Sequence, residues 1–534
     1  MKREKIFNTI GLTLLAACFL FSLARVVRRG EAAADGTVDG RAVVRFAHWQ
    51  LEGGLREAMD RLARDYEAVN PNVRVEQIAV PERTYKQWVR TQLIGGTAPE
   101  IVQLGQGADD ELLARFIMPI SEWVDKPNPY NAGTDLENTP WRETFVDNME
   151  AGWNYRPNLA EYYGASMSMF TVRIFYNRDL WRRLLGDTPV PKTYDEFIEI
   201  CERVRSASET TGRVVLPIAG SRENGSMLAF RLFSTQTQRL VRELDREHTL
   251  RPENIDVALA FLRGEWSVDS RGYHDGLAIM RETGLHMQPG FIQLRRDDAA
   301  FYFLQERAMM IATGSWDAPS FRAQADFEIG VFAIPAPSRD HPRYGANVLG
   351  QVSEANTGTG LSFGIVQGAA RSDLALDFLH FATSRANNET FAQVSGWLPS
   401  VVGVNPTELI EPFVPVADGY LGGFDPTLSM LGANTLLTVQ RSLNRLVDRA
   451  GSVASFTEIM REQLPDALRE DLGRYERSTL LNVQRQDVIL AALAMHGGAA
   501  MLSNQTGKLS EMLEAQNRAE SRREWVLEHL ADGR

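Results

Sequence analysis

The chain has 534 residues, 44% hydrophobic and 24% charged, which is ordinary globular composition and enough for two or more domains with a large core. A formal net charge of −12 and a pI near 5.4 argue against a general nucleic-acid binder, which needs a basic face. Two cysteines, Cys18 and Cys201, leave no disulfide framework, and eight histidines without a His-x-x-x-His pair leave no zinc motif.

Lys2, Arg3 and Lys5 precede Ile6–Ala24, an uncharged run followed by Arg25, Arg28 and Arg29. A helix of that length, at ~1.5 Å per residue, spans roughly the ~30 Å hydrocarbon layer of a bilayer. Three outcomes stay open. Leu15-Ala16-Ala17-Cys18 is similar to a lipoprotein signal box, Ser22-Leu23-Ala24 to an ordinary cleavage site, and the run can also stay as an anchor. All three export the rest, so residues 1–29 read as a signal or membrane anchor and 30–41 as a linker on the extracytoplasmic side.

Ala42–Ala47 reads as a strand, and Leu55–Val69 as a helix with Leu55, Met59, Leu62, Tyr66 and Val69 on one face. Val73–Ile78 alternates as a second strand, Tyr85–Leu93 is helical, and Ile101–Leu104 is a third strand. This β–α–β–α–β order implies a mostly parallel sheet covered by helices. Residues 119–160 hold many aromatics (Trp123, Tyr130, Trp141, Trp153, Tyr155) and few regular signals, either a cleft lining or a loop packed by its own rings. Val172–Leu180 gives a strand and a helix start, and Thr193 with Glu196 forms a capping box ahead of a helix that carries Cys201 as a small buried residue.

Ala299–Pro337 reads as helix, short buried strand (Met309–Ala312), tight turn, helix and strand. Gly314 permits the reversal, Asp317 is an N-cap type of residue, and Pro319 suits a helix's first turn. Trp316 lies between a strand's carboxyl end and a helix N-terminus, where open α/β sheets bind ligands. The alternative is a core indole behind a structural turn. Gly358–Ile365 follows as a strand and Leu374–Ser384 as a helix, and Trp397 sits in a Gly-Trp-Leu-Pro turn. From Leu431 the chain reads as helices: Leu436–Val447, Phe456–Leu472, Leu480–Met495 and Lys508–Leu530.

These segments together resemble the bacterial extracellular solute-binding proteins of the sugar-binding, maltose-binding-protein-like type. The resemblance rests on Gly95-Gly96-Thr97-Ala98-Pro99-Glu100-Ile101-Val102, Tyr176-Asn177-Arg178-Asp179-Leu180, Pro191-Lys192-Thr193-Tyr194-Asp195-Glu196-Phe197, Gly314-Ser315-Trp316 and Pro335-Ala336-Pro337. Arg307 stands where the family usually has Gly, and Glu100 where it commonly has Asp. The resemblance implies a two-lobed periplasmic-binding-protein-like (type II) α/β fold with hinge crossovers, plus a C-terminal helical extension. Its lobes would be 42–170 with 336–394 and 171–335 with 395–475, leaving 476–534 as the extension. It implies that loops after the first and third strands face the cleft. Candidate ligand contacts are then Trp49, Glu52, Gln103, Gln106, Tyr163, Ser166, Trp316, Asp317 and Trp397, with His48 and Asp109 nearby in the same loops.

The implied function is binding of a mono- or oligosaccharide and its delivery to the permease subunits of an ABC importer, with no cofactor, metal or catalytic residue. Asp297-Asp298 and Asp109-Asp110-Glu111 are read as solvated acids, although a glycan-active enzyme stays open as an alternative. A tethered solute sensor engaging a membrane receptor through the helical tail is the other.

Overall fold

The computed structural model describes residues 37–532, apart from 39, 106–107, 151, 212–213, 247, 249–251, 356–357, 428–430 and 497–502. The N-terminal apolar run with Cys18, and the candidate Gln106, lie outside the described residues.

The strands in chain order are β1 (Thr37–Val38), β2 (Arg41–His48), β3 (Val73–Ala79), β4 (Ile101–Gln103), β5 (Tyr155–Arg156), β6 (Glu161–Tyr162), β7 (Ala165–Met169), β8 (Val172–Asn177), β9 (Leu216–Ala219), β10 (Ala308–Gly314), β11 (Ile329–Phe332), β12 (Thr359–Ile365) and β13 (Leu398–Pro399). Two sheets divide the molecule into two lobes. The first runs β1-β2-β4-β12-β7-β13, with β3 also paired to β2. Here β2 lies parallel to β3 and β4, while β12 is antiparallel to β4 and β7. The second runs β11-β8-β10-β9, β10 being antiparallel to β8 and parallel to β9.

Helices cover the first sheet because their sequences carry one apolar stripe. In Gly53–Val69 the residues Leu55, Met59, Leu62 and Tyr66 are at most 1% exposed, each burial worth roughly 1.5–3 kcal/mol. Tyr66 donates to Asp377 at 2.7 Å and meets Phe378 and Phe381 of the helix Ser372–Ala382 edge-on. Val69, expected on that face, ends the helix and is left in solvent. The aromatic stretch 119–160 packs on this lobe: Trp141 is fully buried, donates to Thr383 at 3.0 Å and lies 4.1 Å from the His380 ring.

The second lobe is built around Phe197, Val204, Leu228, Phe233, Tyr273, Leu277 and Met310. The Thr193–Glu196 capping box is formed, Glu196 accepting from the Thr193 N–H at 3.1 Å and Thr193 Oγ1 from the Glu196 N–H at 3.3 Å. Cys201 is a buried thiol, pushed up by burial.

The chain crosses between sheets at Phe170-Thr171, between β11 and β12, and again beyond β13. Leu398 pairs with Met169, and Val401 bridges to Phe145, so residues 398–401 sit with the first sheet. After the helix Ala433–Val447, the helix Val453–His496 runs unbroken for 44 residues through Pro465 and Gly473, joining segments expected to be separate. Buried Phe456, Met460, Leu464, Leu468 and Leu472 keep the stripe in register past the proline. Ser503–Asp532 forms the last helix. Among the described residues no helix is long and apolar enough to cross a membrane.

Candidate functional site

β10 delivers its last residue, Gly314, into a single 3-10 turn, Ser315–Asp317, and then the short helix Ala318–Gln324 with Pro319 in its first turn. Gly314 is required: a Cβ there would stand 2.2 Å from Trp316 Cζ3, so the indole folds back over it. The indole meets Phe170 of the first crossover edge-on at 5.2 Å, carries the Arg296 guanidinium 6.0 Å from its centre, and packs on the core of the first lobe. Its Nε1 is buried with no hydrogen bond of good geometry, and beside it lies the Asp317 carboxylate, whose charge it weakly favours.

Asp317 does not cap the helix that it precedes. Its carboxylate accepts from Thr313 Oγ1 at 2.6 Å and from Arg296 Nη2 at 2.9 Å. Burial pushes this carboxyl up, while Arg296, Thr313 and, more weakly, the Trp316 indole pull it back.

Glu52 stands at the N-cap of Gly53–Val69, and its side chain makes no capping bond. One of its carboxylate oxygens, Oε2, is buried without a partner. Burial raises this carboxyl, Arg296 opposes the shift and Asp317 adds to it. Glu52 of the first lobe thus shares one electrostatic field with Arg296 and Asp317 of the second. Backbone packing agrees. A Cβ on Gly54 would lie 3.2 Å from the Ser395 carbonyl, and one on Gly396, which holds φ at +67°, would lie 3.2 Å from Pro319 Cγ. Segments 52–54, 395–397 and 316–319 therefore meet where the lobes touch.

The remaining expected contacts fall elsewhere. Trp49 donates its N–H to Gln103 Oε1 at 3.1 Å, meets Tyr85 edge-on at 5.1 Å and lies over Gly105. Gln103 is only 3% exposed, and the Tyr85 hydroxyl is 3.0 Å from its carbonyl. Tyr163 is buried with Leu104, Leu113 and Ile117, and burial raises its phenol. Ser166 is fully buried and bonded to Ser362 at 2.6 Å and Asn154 at 3.0 Å. Both belong to the packing around β7, whose residues are all buried, rather than to an exposed wall. Trp397 is 5% exposed within the core of the first lobe, with Nε1 buried and unpaired. His48 Nδ1 accepts from the Gln50 N–H, which leaves Nε2–H to donate to Gln77, and Asp109 caps the helix Asp110–Phe116.

The structure thus gathers Glu52, Trp316 and Asp317 into one place and adds Arg296 and Phe170, which the sequence reading did not single out. Arg296 begins the helix Arg296–Leu304, whose charges read as solvated. Its role depends on a neighbour twenty-one positions later, which no local pattern reveals. Two carboxylates, a guanidinium and an indole edge form a set of acceptors, donors and an apolar plane suited to a hydroxyl-rich molecule. No cluster of metal-ligating side chains is found among the described residues.

A family model described as bacterial extracellular solute-binding protein matches residues 52–389. The chain is 21% identical over 340 residues to a multiple sugar-binding protein of Streptococcus mutans, covering 62% of this chain and 70% of that one. Among solved structures, the solute-binding protein RafE in complex with raffinose matches with a TM-score of 0.53 at 14% identity, covering 81% of this chain and all of that one. A cyclic alpha-maltosyl-1,6-maltose binding protein from Arthrobacter globiformis matches with a TM-score of 0.54 at 15% identity, over 80% of this chain and 99% of that one.

Proposed function

The chain belongs to the bacterial extracellular solute-binding proteins, and from that premise we propose that it binds a mono- or oligosaccharide between its lobes and hands it to the permease subunits of an ABC importer. The observation that carries this reading is the buried, unpartnered oxygen of Glu52 facing Arg296 and Asp317 across the lobe contact. An acceptor in that position is suited to a ligand hydroxyl, and the Trp316 N–H offers a donor beside it. Three acidic groups, Glu52, Asp317 and Asp297, against one guanidinium favour a neutral ligand over an anionic sugar. The names of the multiple sugar-binding and raffinose-bound relatives support the substrate class.

No chemical step is part of this role. Lobes that turn about the three crossovers close on the ligand, and the importer distinguishes closed from open. The protein works outside the cytoplasm, tethered through residues 1–29. Of the expected lobes, 42–170 with 336–394 and 171–335 with 395–475, the boundary at 394 moves: residues 397–401 go with the first lobe, where Leu398 pairs with Met169 and Trp397 packs in the core.

The test is intrinsic tryptophan fluorescence and thermal shift of residues 41–534 against mono-, di- and oligosaccharides. Saturable binding with the ligand recovered intact is expected. Consumption of the ligand would point to a glycan-active enzyme, and silence across the panel would overturn the carbohydrate reading.

A further inference from the structure

The two last helices touch both lobes. Their base is fixed on the second. Arg522, 5% exposed, donates to Glu253 at 2.6 Å and to Asp256 at 3.2 Å. Val526 and Leu472 are fully buried against Ile255 and Leu259 of the helix Asn254–Leu262. The two helices hold each other through Arg523 on Glu476 at 2.8 Å and Gln516 on Asp487, with Val483 and Leu490 buried on one and Met512 and Ala515 on the other.

Further out, the same pair reaches the first lobe. Glu511 accepts from the Tyr155 hydroxyl, and Gln486 Nε2 donates to the Asn158 carbonyl at 2.8 Å. Both partners lie in the β5–β6 ribbon, which is bolted to the first lobe. Arg156 donates to the Ala108 carbonyl at 2.9 Å, Asn158 Nδ2 to Asp110 at 3.0 Å, and the Ile120 N–H to the Tyr162 carbonyl at 2.8 Å. Trp153 and Leu159 pack with Leu104 and Leu113 of that lobe.

We infer that the C-terminal helix pair is a strap, a non-covalent tie between the lobes beside the three chain crossovers, and that its contacts at Tyr155 and Asn158 favour the arrangement in which the lobes touch. A tie anchored by a buried ion pair and apolar core at one end, and by exposed hydrogen bonds at the other, releases at the exposed end first. Each such bond shifts an equilibrium by a factor of roughly two to ten. The inference concerns lobe geometry and holds whatever the ligand.

The experiment is an interlobe distance distribution by double electron–electron resonance on the full chain. Spin labels go at Ala114→Cys and Arg222→Cys, exposed positions just beyond β4 and β9, in a Cys18→Ser background with buried Cys201 left in place. Tyr155→Phe with Gln486→Ala removes both contacts without touching either core. The expected result is an added longer-distance population, increased at least roughly fourfold over the otherwise unaltered chain, with an unchanged melting temperature. Superimposable distributions would overturn the strap and leave the helices riding on the second lobe. If the double variant melts early, Glu511→Ala, which removes the acceptor for the Tyr155 hydroxyl, carries the same readout, and an unchanged distribution there would also overturn it.

Discussion

Arg173, the second residue of β8, uses every N–H of its guanidinium. Nη1 and Nη2 each donate to Glu354 at 2.7 Å, Nε donates to the Pro412 carbonyl at 2.8 Å, and the other two reach the carbonyls of Val172 and Val414. Glu354 also accepts from the Val416 N–H at 3.0 Å. One side chain therefore joins all three crossovers, at side-chain exposures of 5% for Arg173 and 12% for Glu354. Replacing Glu354 by Gln keeps the volume but turns a carboxylate oxygen into a donor facing a donor, next to a buried charge. Breaking one member of a buried pair costs about 3–5 kcal/mol. The exposed fork Arg461–Asp269, 53% exposed on both sides, is the control: Asp269→Asn costs about 0–1 kcal/mol. Urea unfolding followed by tryptophan fluorescence reads both variants. The pH dependence has a fixed sign. Burial opposes ionisation of Glu354, but Arg173 outweighs it and holds the carboxyl below its ordinary range. Its stabilisation is present above the unfolded value near 4.3 and lost as pH falls through the lower folded value. The gap between the parent chain and Glu354→Gln therefore narrows below about pH 4. A Glu354→Gln variant within about 1 kcal/mol of the parent at pH 7 would refute the reasoning.

Trp316→Ala and Glu52→Gln are expected to lower affinity for the saccharide found in the fluorescence panel by roughly ten- to a hundredfold, with melting temperatures within a few degrees; isothermal titration checks this, and equal affinity removes both from the site. Trp397→Ala does the reverse, costing about 3–5 kcal/mol of stability because it empties a space in the core of the first lobe, and thermal unfolding reads it. Burial brings His380 down to about 4, and burial with Arg205 nearby brings His286 down to about 4. Depressed values mean stability that is full above the unfolded pKa near 6.5 and lost as pH falls towards 4, roughly 3 kcal/mol for each histidine. His380→Gln is expected to flatten the fall in melting temperature between pH 7 and pH 4.5, and an unchanged slope would count against the burial argument.

Strands such as β2, β3, β4, β8 and β12 were legible as short apolar or alternating runs bounded by turn residues, as at Asn70-Pro71 before β3, whereas the buried β7 and the two-residue strands were not. In the first sheet the parallel order expected holds only for β3-β2-β4, since β12 runs antiparallel to β4 and β7. The capping box at Thr193 and Glu196 was legible because it is local, complete within four residues. Tyr163 and Ser166 show the limit. A polar residue beside a strand reads as a candidate contact, but β7 is buried along its whole length, and the serine spends its hydroxyl on Asn154 and Ser362. Trp397 sits in a turn that reads as exposed, yet the first lobe closes over it. Asp317 looks like a cap by type and position, while its carboxylate goes to Arg296 instead, a pairing set by how two helices approach. The single helix Val453–His496 was split at Gly473, where the expected helix Phe456–Leu472 stops, although that expected helix already runs through Pro465; the glycine lowers local helix propensity but is overridden by a buried stripe.

The lobe contact and the strap pull against one another in a way that bears on function. Where the lobes touch, Glu52 Oε2 is buried without a partner, and an unpaired buried polar atom costs about 1–3 kcal/mol. Two exposed hydrogen bonds at Tyr155 and Asn158 return about 1–3 kcal/mol in total. These magnitudes nearly balance, so a ligand needs to add little to decide the equilibrium. On the proposed binding mode, a saccharide that donates to Glu52 would remove the penalty only when the lobes meet, and that differential would shift the population. It follows that saturating ligand should restore the short interlobe distance in Tyr155→Phe/Gln486→Ala, at an affinity lowered by the same factor that the strap contributes. A variant that binds with unchanged affinity while its lobes stay apart would separate binding from closure and break the link between the strap and the site.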